Sequence, residues 1–149
     1  MTAVWILAAF VYSSFLEWFL HRFVLHWLGK KSKNIFSFHW SQHHKTARKN
    51  GFKDKAYEDW DSSAWKEIGS LLALVLLHSP LWLIGLGEMF VFLCLHSITY
   101  FWIHRKCHMR PEWCKRWFPW HYKHHLGRNQ DSNYGVTNPL FDYVFKTRE

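Results

Sequence analysis

The chain alternates between apolar runs of membrane-crossing length and short charged stretches. Residues 2–20 are apolar in the main, with Ser13, Ser14 and Glu17 as polar exceptions. Crossing a hydrocarbon core takes about 20 such residues, so the run predicts a transmembrane helix. A signal peptide would carry a basic leader and a small-residue cleavage site, whereas here histidines follow without a break. Residues 29–63 are polar and carry Lys30, Lys31, Lys33, Lys45, Arg48, Lys49, Lys53 and Lys55, then Glu58, Asp59 and Asp61. Asp61, Ser62 and Ser63 are the N-cap candidates for the next helix. Residues 69–87 hold no formal charge, with Pro80 as a kink or far end and Gly85-Leu86-Gly87 as a turn. Residues 89–103 return uncharged into His104. The pattern predicts an all-α integral membrane fold in one domain, residues 1–149, with about three to four transmembrane helices.

Composition supports this organisation. Mean hydropathy is only -0.24, but that average hides the segregation of apolar runs from charged ones. The formal charge of +8 would suit a nucleic-acid binder, yet the basic residues flank apolar spans as the positive-inside rule expects. No nucleic-acid motif is present, so nucleic acid is not expected as a partner. The three cysteines, Cys94, Cys107 and Cys114, form no disulfide framework and indicate a reducing compartment. Arg110-Pro111-Glu112 breaks the third apolar helix and begins a basic, aromatic segment suited to the headgroups. Trp102, Trp113, Trp117, Phe118 and Trp120 are expected as interface anchors.

The chemistry lies in the histidines. Ten of the 12 fall into four clusters: His21-x4-His26, His39-x3-His43-His44, His104-x3-His108 and His121-x2-His124-His125. Imidazole is a neutral donor for iron, zinc, copper or nickel. One such ion takes at most about six protein ligands, so ten donors imply two ions sharing a site. On an α-helix His104 and His108 share a face, as do His121 and His125. The adjacent pairs His43-His44 and His124-His125 diverge by about 100° and can serve one ion each. His21 and His26, five apart, also diverge on an ideal helix and are expected to serve different ions. Lone His78 and His96, within apolar runs, are read as hydrogen-bonded packing. A helix in, a polar loop and a hairpin returning bring all four clusters to one membrane face. The basic residues mark that face as cytoplasmic.

These clusters resemble the fatty acid hydroxylase and sterol desaturase superfamily of integral-membrane di-iron enzymes. Its H-x3–4-H, H-x2–3-HH, H-x3-H and H-x2-HH pattern is matched by all ten residues. Glu17-Trp18-x2-His21-Arg22 is similar to the family's opening motif. Asn133-Tyr134-Gly135-Val136-Thr137, with Asp142 and Phe145-Lys146-Thr147, is similar to its C-terminal signature. The second cluster has x3 where x2 is common, which is expected to displace His39 relative to His43.

The resemblance implies His21, His26, His39, His43, His44, His104, His108, His121, His124 and His125 as ligands of two irons. Zinc is possible in purified protein. Dioxygen is the implied co-substrate, a lipid C–H bond the target and hydroxylation the outcome. The lipid would be a fatty acyl, sphingolipid or sterol-type molecule. Desaturation and carotenoid-ring hydroxylation are alternatives of the same chemistry, and a membrane zinc-binding or transport protein is the non-enzyme alternative. Carboxylates should orient the imidazoles and offset the ionic charge, with Glu17 the first candidate and Asp131 and Asp142 next. No electron-carrier domain is read in the chain, so a separate cytochrome b5-like or ferredoxin-like protein is the expected donor.

Overall fold

The computed structural model describes residues 3–31 and 34–149. Thr2 and Lys33, counted above in the first apolar run and the basic loop, lie outside the described residues. All regular structure among those described is helical.

Helix α1 (Ala3–Phe19) runs unbroken into a π-helical stretch, Leu20–Leu28, and ends as α2 (Gly29–Lys31). A second π-helical segment, His39–His44, continues into α3 (Lys45–Lys49). Helix α4 (Ser62–His78) starts earlier than the uncharged run does, because the Asp61 carboxylate caps it by accepting the Ser62 N–H at 2.6 Å. Pro80 opens the short α5 (Pro80–Leu83) rather than ending the span. The chain then turns through Gly85, whose φ of +79° suits glycine, and returns as α6 (Gly87–Met109). Pro111 and Pro119 occupy first-turn positions of α7 (Pro111–Trp117) and α8 (Pro119–Leu126), where no N–H is missed. The chain finishes with a loop and α9 (Leu140–Val144).

Two helical rods, Ala3–Lys31 and Ser62–Leu83, are long and apolar enough to cross a membrane. Only 6% of the second one's apolar window is buried within the protein, so it is no core helix of a soluble domain. Leu76, Leu77, Leu83 and Ile84 all face outward, as lipid contact requires. Helix α6 packs against both α1 and α4. Its last turns carry His104, Arg105, Lys106 and His108, so the return path becomes polar where the histidines gather.

The C-terminal segment folds back onto α1. Trp18 stacks on Phe145 at 4.4 Å between ring centroids, and its indole N–H donates to Thr147 Oγ1 at 3.1 Å. Phe15 meets Phe141 edge-on at 5.4 Å. These contacts hold the loop 129–139 over the π-helical stretch after α1, which bears His21 and His26.

Candidate metal centre

All ten clustered histidines are buried and lie together at one end of the bundle. They sort into two groups that could each hold a metal ion: His21, His26, His39, His44 and His124, and then His43, His104, His108 and His125. His121 borders the second group, with its Nε2 3.4 Å from that of His108. The adjacent pairs divide as expected, since His43 and His124 each sit in a different group from the histidine that follows.

His21 and His26 do not divide; both belong to the first group. The reason is the π-helix, whose i→i+5 register brings residues five apart onto one face. The same winding over His39–His44 sets His39 beside His44 and sends His43 to the other group. The extra residue in H-x3-HH is absorbed as that wider turn. His39 is therefore displaced relative to His43, but into the first group.

The nitrogen geometry of the first group is that of donors around a common centre. The Nε2 atoms of His26, His44 and His124 form a triangle with sides of 3.2, 3.2 and 3.1 Å. His39 Nε2 lies 3.2 Å from that of His44 and 2.9 Å from that of His21. A neutral imidazole has one N–H, and three of these rings use it at Nδ1. His21 donates to Tyr134 O at 2.5 Å, His124 to Ser132 O at 2.6 Å and His26 to Asp131 Oδ1 at 3.1 Å. Their Nε2 lone pairs then face one another, which is repulsive without a cation between them. Two nitrogen ligands at right angles about an ion, each about 2.1 Å from it, stand about 3.0 Å apart. The set fits a metal.

In the second group His43 Nδ1 donates to Asp54 Oδ2 and His108 Nδ1 to Phe52 O, both at 2.8 Å. His104 Nδ1 lies 2.8 Å from Glu67 Oε1, an ion-pair distance without hydrogen-bond alignment. The Nε2 atoms of His43, His104 and His125 are buried with no hydrogen-bond partner among the described residues. Buried polar atoms left without a partner are rare in native proteins, and an ion would satisfy these.

The electrostatics agree. Burial holds His39, His44, His121, His124 and His125 well below the ordinary imidazole range, and neighbouring imidazoles push each lower still. Burial lowers His43 too, against the pull of its hydrogen bond to Asp54. These rings are neutral near pH 7 and able to bind metal. Burial raises Asp54, but its hydrogen bond and charge interaction with His43 and the Ala56 N–H together outweigh this and leave the carboxyl below its usual value. The hydrogen bond from His26 and the Lys30 ammonium, 2.5 Å away, hold Asp131 well below the carboxylate range.

An apolar cavity of about 490 Å³ lies between α1, α4 and α6 and reaches His21 and His39. That volume is within the range of small-molecule sites, roughly 300–1,000 Å³.

Residues 6–147 match the family described as Fatty acid hydroxylase. The chain belongs to the fatty acid hydroxylase family. No curated protein and no solved structure matches it. Fatty acid hydroxylases are metal-dependent, membrane-associated oxidoreductases, in keeping with the two histidine groups and the two apolar rods.

Of the three carboxylates expected to orient imidazoles in this fatty acid hydroxylase, only Asp131 touches one of the ten. Glu17 instead accepts hydrogen bonds from Val136 N, from Thr137 N at 2.9 Å and from His96 Nε2 at 2.9 Å. Asp142 accepts from Tyr134 N at 2.9 Å and Gly135 N at 2.8 Å. Both hold the C-terminal loop so that its Ser132 and Tyr134 carbonyls meet His124 and His21. Gly135 has to be glycine, because a Cβ there would run into the Asn138 carbonyl oxygen. The carboxylates that do reach the second group, Asp54 and Glu67, went unmarked in the sequence. Asp54 also caps the turn Lys55–Tyr57, a D-x-A pattern too common to signal a site. His78 is packing, bonded to Tyr12 Oη and Leu74 O at 2.8 Å each.

Proposed function

We propose that the protein is a di-iron, O2-dependent hydroxylase of a lipid C–H bond. The observation that carries this reading is the pairing of two adjoining all-imidazole groups with an apolar cavity that ends on two of the imidazoles. The first ion would be held by His21, His26, His39, His44 and His124. The second would be held by His43, His104, His108 and His125, with His121 beside them. Iron bound there would supply the oxidising power, with dioxygen, to break an unreactive C–H bond. The chain's own part is to bind, orient and exclude water. Carbonyls of Phe52, Ser132 and Tyr134, with Asp54 and Asp131, hold the Nδ1 protons outward so that the Nε2 lone pairs point inward. Asp54, Glu67 and Asp131 offset part of the charge that neutral imidazoles leave on two divalent ions. Leu16, Leu20, Val24, Leu71 and Leu74 give the cavity an apolar wall for a hydrocarbon chain.

The histidine-bearing face is the cytoplasmic one by its lysines and arginines. A separate electron-transfer protein of acidic surface, cytochrome b5-like or ferredoxin-like, would dock on that basic face. The test is metal analysis of purified protein with oxygen uptake and lipid extraction under a supplied reductant. About two irons per chain, oxygen consumed and an oxygenated lipid are expected. A single tightly held zinc with no lipid oxidation would overturn the reading.

A further inference from the structure

Tyr57 is buried against the second histidine group. Its ring centroid lies 5.2 Å from that of His104, 5.4 Å from that of His43 and 5.5 Å from that of His108, the last stacked at 17°. Three of the four imidazoles of that group thus meet one phenol, within the range of direct ring contact, about 4.5–7 Å. The phenol O–H is turned to a carboxylate: it donates to Glu67 Oε2. Arg105 Nε donates to the Tyr57 carbonyl at 2.8 Å and fixes the residue from the other side of its backbone. From here a row of aromatic rings leads outward. Phe101 packs on Tyr57 at 6.5 Å and on Trp60 at 6.1 Å, and Trp60 on Trp65 at 5.9 Å. Trp60 is 44% exposed. One end of the row meets the histidines and the other meets the surface.

We propose that Tyr57 and Trp60 form an escape route that carries a stray oxidising equivalent away from the ligand imidazoles to the surface. The inference rests on the centre being the oxygen-activating iron site proposed above. When such a centre meets dioxygen or peroxide with the cavity empty, no C–H bond is there to attack, and its own ligands are the nearest oxidisable groups. A phenol whose proton can pass to a carboxylate gives up an electron more readily than an imidazole does. In the first step Tyr57 gives one electron to the centre and its O–H proton to Glu67 Oε2, leaving a neutral phenoxyl radical. In the second, Trp60 gives one electron to the phenoxyl, Glu67 returns the proton, and Tyr57 is restored. The Arg105 guanidinium, 4.8 Å over the Trp60 ring, disfavours a cation there, so the indole N–H proton leaves to water. The neutral Trp60 radical then takes a hydrogen atom from a soluble thiol, the reductant of a reducing compartment, and a thiyl radical is formed. Phe101 is too hard to oxidise to hold the charge and serves as packing between the two stops.

The experiment treats iron-loaded, detergent-purified protein with limited hydrogen peroxide, no lipid added, and freezes it for electron paramagnetic resonance. Wild type is expected to give a phenoxyl signal that Tyr57→Phe lacks. Trp60→Phe should keep the signal and hold it several times longer, because refilling is lost. After repeated exposure, peptide mass spectrometry should find oxygen added at Trp60 in wild type and at the ligand histidines in Tyr57→Phe, which loses iron several times faster. Iron content is measured before peroxide, and if Tyr57→Phe does not load, the radical lifetime in Trp60→Phe decides. No phenoxyl signal in wild type, the same signal in Tyr57→Phe, an unchanged lifetime in Trp60→Phe, or equal histidine oxidation overturns the route while lipid hydroxylation stands. Protein that holds no iron and consumes no oxygen overturns the hydroxylase reading, and the route with it.

Discussion

Asp54→Asn isolates what one buried carboxylate does for the second histidine group. Asp54 has two tasks: Oδ1 accepts the Ala56 N–H at 3.0 Å, and Oδ2 accepts from His43 Nδ1 at 2.8 Å. Asparagine caps a turn as well as aspartate does, so its oxygen stays on Ala56 and its NH2 faces His43. Two donors then oppose each other in a contact whose side chains are 3% and 0% exposed. Relief comes by moving the His43 proton to Nε2, where it blocks the lone pair, or by tilting the ring. Loss of a group that orients a metal-bound histidine costs about 10- to 100-fold in metal affinity, or about 1.4–2.8 kcal/mol. Burial excludes solvent compensation here, so the upper half of that range applies. The assay is residual metal against rising chelator in wild type and variant, with melting followed in parallel. A chelator midpoint shifted about thirtyfold or more, with metal lost from half the sites first, is expected. A midpoint within about twofold of wild type would falsify the assignment of Asp54 as the group that positions His43.

His43→Ala and His44→Ala should each deplete a different half of the metal while His78→Ala keeps all of it; equal loss in all three would refute the division into two groups. Deleting Ser41 shortens the second cluster to H-x2-HH and sets His39 four positions before His44, neighbours on one face of an ordinary α-helix, so metal content should be kept; metal loss without helix loss by circular dichroism would contradict the account of the extra residue as a wider turn. Gly135→Ala should lower the melting point by several degrees, because its Cβ displaces the loop that carries Tyr134 O, and an unchanged melt would contradict that collision. Without metal, His39, His44, His121, His124 and His125 titrate lower when folded than their unfolded value of about 6.5. The unfolded chain thus takes up protons the folded one refuses, so stability is full above about pH 6.5 and falls below it. A melting point flat from about pH 8 to about pH 5 would rule this out.

What the sequence made legible was what neighbours along the chain decide. The cluster ends, the Asp61 cap, the turn at Gly85 and the break at Pro111 follow from spacing and local preference, and all appear in the fold. The grouping of His21 with His26 was not legible, because a π-helix spaces its faces differently from the α-helix that the same residues suggest. Glu17 stands four before His21 and looks like its partner on an α-helix. The carboxylate points instead to a loop 120 residues away. Backbone carbonyls such as Tyr134 O leave no residue-type signal at all, and Asp54 and Glu67 reach their imidazoles through tertiary packing.

The hydrogen bond from His21 to Tyr134 O spans 113 residues, and that from His26 to Asp131 spans 105. During synthesis the first helix is in place long before its acceptors exist, since chains grow at about 5–20 residues per second. For those seconds its imidazoles are free to rotate and to take either tautomer. The loop after α8 therefore acts as a latch that is thrown last. An ion captured before the latch closes would meet an incomplete set of donors, so correct loading belongs to the finished chain rather than the nascent one.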